Sequence, residues 1–349
     1  MKKNTFASGL SMMRNYHWFT YPTIFILLLT GCGHAMSNND TKFDWRATES
    51  APKHYPMEII KGTFIYKGSA QGTYIPSGGT LKAGWGDPIS SHNDGNHERP
   101  LPDRLTITFF SYAEKQFYQG DFKLPYDEIL RLYREGVEVN PDDPVYDRII
   151  AGIAPGGAVA VWVAGSHQKE VFFSQAEKID IAPSRAFGLP FKDKAEADEY
   201  MEEGLVEALS KEDLESIKKD GVPFGLWERY RNRYDWRLTI SEGHQIDSSN
   251  IEFLNGDFIR RWVPLKKEET DIIRPVPKRL TFRAVIENRN ILYTVDMDEF
   301  ETMDAFEKLA DNNQKVYLEF EPRLPREQLK ARLYTDKESI ELKKFKSKK

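Results

Sequence analysis

Four side chains within seven residues, His92, Asp94, His97 and Glu98, are of types that bind divalent metal ions. They lie in a stretch from Gly68 to Glu98 that also holds seven glycines, Trp85 and Asp87. Glycine lets such a loop take backbone angles closed to other residues, and long loops on rigid sheets commonly carry binding work. The spacing is not that of a helical H-E-x-x-H pair and fixes no third ligand, so no metal site is assigned. Trp85, set between two glycines, is read as a contact anchor, because buried aromatics dominate interface energies. Trp85, Asp87, His92, Asp94 and His97 together mark a candidate partner-binding loop.

Other chemistry is harder to find. A serine hydrolase needs an activated serine with a histidine and an acid close by. The chain has no G-x-S-x-G elbow, and Gly165-Ser166-His167 reads as a hairpin turn. The run Ala154-Pro155-Gly156-Gly157 lacks the lysine and helix start of a phosphate-cradling loop and reads as a turn before a strand. Trp45 and Trp236 each stand between an aspartate and an arginine, which reads as a core tryptophan beside a local Asp–Arg pair. No catalytic set and no cofactor motif emerges, and the reading is non-enzymatic.

One sulfur atom does carry a signal. Cys32 is the sole cysteine of 349 residues, which rules out an internal disulfide and a zinc site built on several thiolates. Ahead of it, residues 1–20 carry Lys2, Lys3 and Arg14 with no acid, and Tyr21 to Thr30 is a mostly apolar run. A spanning helix needs about 20 apolar residues, so this run fits the core of a secretory signal better. Leu29-Thr30-Gly31-Cys32 resembles the bacterial lipobox, whose cysteine takes a diacylglycerol and becomes the new N-terminus. Several acyl chains at ~0.8 kcal/mol per buried CH₂ make a firm anchor. Gly33 stands where aspartate commonly retains such proteins at the inner membrane, which favours the outer membrane. Residues 1–31 are therefore read as a signal peptide and 32–42 as a polar tether.

The balance of 49 basic and 54 acidic residues, formal charge −5, argues against a nucleic-acid partner. Losing residues 1–31 removes three positive charges and takes the body to about −8. The body reads as a tandem repeat. Phe43-Asp44-Trp45-Arg46 recurs as Tyr234-Asp235-Trp236-Arg237, and Gly62-Thr63-Phe64-Ile65 as Gly256-Asp257-Phe258-Ile259. Arg99 to Thr106 (RPLPDRLT) recurs as Arg274 to Thr281 (RPVPKRLT), and Leu105 to Tyr118 is as long as Leu280 to Tyr293. Unequal spacing between the second and third blocks points to an insertion, residues 68–98, in the first copy.

Each copy shows a β-rich hairpin, a short helix and further strands. Pro125 opens the first helix, and Thr302 is the expected cap of the second. The fold class expected is mainly β or α+β: two tandem antiparallel β-rich modules, 43–182 and 234–349, one short helix each, joined by a helical bridge, 183–233. In the bridge, Lys194 to Ala208 has helical period, Ser210 to Asp213 resembles a capping box, and Gly221 is a stop. Trp227 is expected to pack against both modules. The C-terminal Lys343, Lys344, Lys346, Lys348 and Lys349 read as a solvated basic tail.

The segments FDWRATESAPKHYP, PLPDRLTITFFSYAEKQFYQGDF, YDRIIAGIAPGGAVAVWVAG and GVPFGLWERYRNRYDWR resemble a family of Gram-negative lipoproteins known as domain of unknown function 2931. The resemblance runs over nearly all of the chain after Cys32 and carries no established catalytic residues. It implies a lipid-anchored protein of the outer membrane, facing the periplasm. It also implies a protein partner, since members resemble genes beside lipase-like type VI secretion effectors, and so an immunity or accessory role. An envelope-maintenance lipoprotein and an envelope hydrolase are the alternatives.

Overall fold

Alternating apolar and polar side chains dictate the two hairpins at the heart of the fold. In Pro102–Ser111 and Pro277–Ile286 the leucine, isoleucine and phenylalanine positions are buried and the intervening threonines and arginines face outward. The computed structural model describes residues 41–90, 98–136, 146–241, 243–261, 273–286, 288–310, 314–323 and 328–348. The expected signal peptide, Cys32, and all but the last two residues of the tether lie outside them, as do His92, Asp94 and His97.

The first half begins with β1 (Lys42–Asp44), β2 (Arg46–Ser50), β3 (Met57–Tyr66), β4 (Gly72–Tyr74) and β5 (Glu98–Pro100). It continues with β6 (Pro102–Ser111), β7 (Gln116–Lys123), helix α1 (Tyr126–Glu135), β8 (Tyr146–Ala154), β9 (Ala158–Gly165), β10 (Gln168–Gln175) and β11 (Glu177–Ile179). A helical segment follows: α2 (Pro183–Phe187), α3 (Lys194–Ala208), α4 (Lys211–Asp220) and α5 (Leu226–Arg229). The second half has β12 (Arg233–Ile240), β13 (Gln245–Phe253), β14 (Phe258–Arg261), β15 (Ile273–Pro275), β16 (Pro277–Ile286) and β17 (Arg289–Met297). It closes with α6 (Glu299–Leu309), β18 (Val316–Arg323), β19 (Gln328–Tyr334), β20 (Ser339–Leu342) and β21 (Phe345–Lys348). The chain is mainly β with several sheets, in line with the expected class.

Strand order in one half is matched in the other. The first half has a layer β11-β7-β6-β3-β4, and the second has β21-β17-β16-β13-β14. A second layer runs β2-β8-β9-β10 in the first half and β12-β18-β19-β20 in the second. In each, the first pair (β2 with β8, β12 with β18) is parallel and the others antiparallel. The short strands β5 and β15 pair with β1 and with the start of β12. The halves are joined by unlike layers. β10 meets β14 at one residue pair, Gln168 with Phe258, so that nine strands run β2-β8-β9-β10-β14-β13-β16-β17-β21.

Several local expectations shift. Gly62–Ile65 lies in β3, whereas Gly256–Ile259 is the turn into β14, the counterpart of β4. That pair of four-residue matches therefore does not occupy equivalent places. The stretch 68–98 is not wholly loop either, since β4 is an edge strand with a counterpart in the second half. The cap of α6 is Asp298, whose carboxylate accepts from Glu301 N–H; Thr302 is inside the helix and donates to the Asp298 carbonyl at 2.6 Å. Lys343 and Lys344 precede β21 and Lys346 and Lys348 lie in it, paired with β17 rather than forming a tail, while Lys349 lies outside the described residues. Lysine on such an outer strand discourages edge-to-edge pairing with other chains.

The described residues fall in one compact unit. One apolar core holds Trp85, Ile150 and Trp162 from the first half, Leu226 and Trp227 from α5, and Trp236, Phe282 and Phe306 from the second. A second cluster seats α3 on the first half, with Met201 and Leu205 against Phe110, Tyr112 and Phe117. Gly204 allows that approach, since a Cβ there would come within 2.4 Å of the Tyr112 ring.

Candidate functional site

Repeated sequence blocks meet in space within each half. Trp45 Nε1 donates to the Pro100 carbonyl at 3.2 Å, and Trp236 Nε1 to the Pro275 carbonyl at 2.9 Å. The Arg99 guanidinium lies 5.8 Å from the Trp45 ring centre and that of Arg274 lies 4.5 Å from Trp236. Both tryptophans are fully buried. An indole N–H needs an acceptor when buried, and a guanidinium over a ring adds about 0.5–2 kcal/mol. Each hairpin carries a cross-strand ion pair, Arg279 with Asp296 directly opposite it and Arg104, which stands opposite Lys123, with Asp121 on the diagonal. Beside Trp236, Asp235 pairs with Arg237 at 2.5 Å. The tryptophans and the first arginines of the repeated motifs are thus turned inward, while the hairpin ion pairs face solvent.

Trp85 is also turned inward. It is 5% exposed, 5.0 Å edge-on to Trp162 and 6.4 Å from Trp227, so it serves as a core residue and not as a free contact anchor. The glycines on either side let it enter. Gly86 has φ +83°, and a Cβ on it would come within 2.5 Å of Gly256 Cα. Gln168 Nε2 donates to both the Gly86 and Gly256 carbonyls, at 2.7 and 2.6 Å. Asp87 accepts from Lys278 at 3.1 Å across the seam, and Trp162 Nε1 donates to the Asn255 carbonyl at 3.0 Å. Trp227 packs on Tyr55 as well as Trp85, at 5.8 Å edge-on, which fixes α5 to the first half. Of the proposed loop residues, only Trp85 and Asp87 are described, and both tie the halves together.

Next to this seam lies a cleft of about 520 Å³. Lys123, Leu124 and Pro125 form one wall, Glu170 to Phe173 of β10 another, and Arg231 and Arg233 a third. Arg231 Nε donates to Glu170 Oε1 at 2.5 Å, and its guanidinium lies 4.6 Å from the Phe173 ring centre. Arg233 donates to Asp257 Oδ2 at 2.9 Å, while Asp257 Oδ1 accepts the Glu170 backbone N–H at 2.6 Å. The Glu170 side chain is 5% exposed, and its Oε2 has no hydrogen-bond partner among the described residues. Burial pushes the Glu170 carboxyl up to about 7, with Arg231 pulling the other way. Burial likewise raises the Asp257 carboxyl. One residue before Glu170, Lys169 pairs with Glu128 of α1 at 2.6 Å, and Arg131 with Lys169 holds the Glu128 carboxyl down at about 2.

The cleft draws on residues far apart in sequence, which is why motif reading passed over it. The one local signal is Arg231-Asn232-Arg233 directly before the repeated Tyr-Asp-Trp-Arg block. Two arginines lining a cleft of this kind can hold an oxyanion. Ser166 is buried in the β9–β10 turn, and His167 bonds the Arg260 carbonyl at 2.9 Å, which ties that turn to β14 of the second half. No helix among the described residues is long and apolar enough to cross a membrane.

Residues 33–225 match a family model described as protein of unknown function, DUF2931. The match takes in the first half and most of the helical segment and stops at Gly225, short of the nearly complete coverage expected from the motifs. No curated protein and no solved structure matches the chain.

Proposed function

The chain belongs to the DUF2931 family, and on that premise we propose that it is an outer-membrane lipoprotein, anchored through Cys32 and facing the periplasm, that binds another protein without catalysis. Its most specific form is an immunity or accessory factor that occludes a lipase-like type VI secretion effector. The observation that carries this reading is Leu29-Thr30-Gly31-Cys32 after a basic leader and a short apolar run, with no second cysteine in the chain. An anchored binder is concentrated where a membrane-attacking enzyme must act. Support from the body is compositional: its cleft is lined by arginine and phenylalanine, residue types enriched at protein interfaces.

Two measurements test it. Intact mass and envelope fractionation of the wild type and Cys32→Ser should show an acylated, membrane-bound chain and an unmodified, soluble one. An unmodified thiol in the wild type overturns the anchor. Producing a lipase-like effector encoded beside this gene in the periplasm, with and without the protein, should separate death from survival. Unchanged killing removes the immunity role and favours envelope maintenance, for which deletion alone should weaken the envelope.

A further inference from the structure

The cleft at the seam holds a combination that a purely structural ion pair does not require. Glu170 is enclosed, yet only one of its two oxygens is engaged. A buried polar atom without a partner is costly, and native folds keep few of them. Two guanidiniums and Lys123 stand round the same space with the Phe172 and Phe173 rings. Lys123 is exposed.

We propose that this cleft binds the carboxylate end of a peptide, with Arg231, Arg233 and Lys123 receiving the negative charge beside the enclosed Glu170. The inference rests on the protein-binding reading above and names its site. Guanidinium forks match a carboxylate in shape, and the phenylalanine wall suits the side chain next to it. The nearby acids favour a singly charged ligand over a doubly charged phosphate monoester.

The charged groups around Glu170 are Arg231, Arg233 and Asp257 from the β13–β14 turn, and Lys123 at the end of β7 lines the same cleft. Ligand charge entering beside Arg231 draws a proton from solvent onto Glu170, so binding takes up protons above neutrality.

The test uses the full-length chain in detergent micelles and N-acetyl-Phe-Ala as probe, in the free-acid and C-terminal amide forms. Calorimetry at pH 8 in buffers of different ionisation enthalpy should show the acid binding at least tenfold more tightly than the amide, with proton uptake. Glu170→Gln should keep the preference for the acid and lose the uptake, and Arg231→Gln should weaken the acid at least tenfold. Equal binding of acid and amide, no binding of either, or uptake that survives Glu170→Gln overturns the proposal. So does binding to phosphatidylglycerol vesicles without binding of the acid. Should Arg231→Gln not fold, the acid–amide comparison on the wild type and the Glu170→Gln linkage still decide. Loss of peptide binding with intact protection from the effector would sink the site alone. Peptide binding without protection would sink the immunity reading alone.

Discussion

Replacing Gly86 by alanine tests whether the two halves are held by a backbone-to-backbone contact. At φ +83° an alanine is strained by about 1–2 kcal/mol. Its Cβ would also stand 2.5 Å from Gly256 Cα, where carbon atoms settle at about 3.5–4.0 Å. The two turns must part by about 1 Å, which lengthens both Gln168 bonds, each contributing about 1 kcal/mol. The sum is a loss of about 3–4 kcal/mol. Gly68 is the control: its φ is +70°, but a Cβ there meets nothing within 4 Å, so Gly68→Ala should cost only the strain, about 1–2 kcal/mol. Urea unfolding followed by tryptophan fluorescence reads the difference, because Trp85 and Trp162 lie at the seam. Losses equal within about 0.5 kcal/mol would refute the close contact, since surface-like substitutions scatter by that much.

Further outcomes follow from the same geometry. Glu170 has a raised folded-state pKa, so the folded chain binds more protons than the unfolded one between about 4.5 and 7, and its burden on stability grows as pH rises through that window. Glu170→Gln should thus gain relative to wild type by up to about 3 kcal/mol between pH 4 and pH 8, a net figure that already contains the Arg231 pairing, and parallel stability profiles would count against the buried carboxyl. Trp45→Phe and Trp236→Phe should each lower stability by about 1–3 kcal/mol, by stripping the Pro100 and Pro275 carbonyls of their donors. Ser210→Ala should fray α4 at a cost of about 1 kcal/mol, visible as faster amide exchange at Asp213, whose N–H the serine accepts at 3.1 Å.

Where local rules govern, the sequence was readable. Period-two burial set β6 and β16, Pro125 opens α1, and Ser210 and Gly221 bound α4 as capping chemistry demands. The repeated DWR and RPxPxRLT blocks were legible as repeats, and their meaning is that they touch each other in each half. What could not be read was tertiary. Trp85 looked like a loop anchor because glycines flank it, and nothing local says that they let it reach inward to Trp162. Glu170, Arg231, Arg233 and Asp257 share no motif, since the β10–β14 junction alone brings them together. The lysines at the end looked like a tail because strand pairing depends on a partner, β17, some fifty residues earlier.

The way the halves join has a consequence for stoichiometry. They meet head to tail, the second layer of one on the first layer of the other, so no twofold axis relates them. Equivalent positions therefore see different neighbours: β10 lies inside the nine-stranded sheet, while its counterpart β20 ends a sheet. Among the described residues the doubled architecture thus builds the Glu170 cleft beside β10 only, and titration of one chain should saturate at one equivalent of ligand, not two.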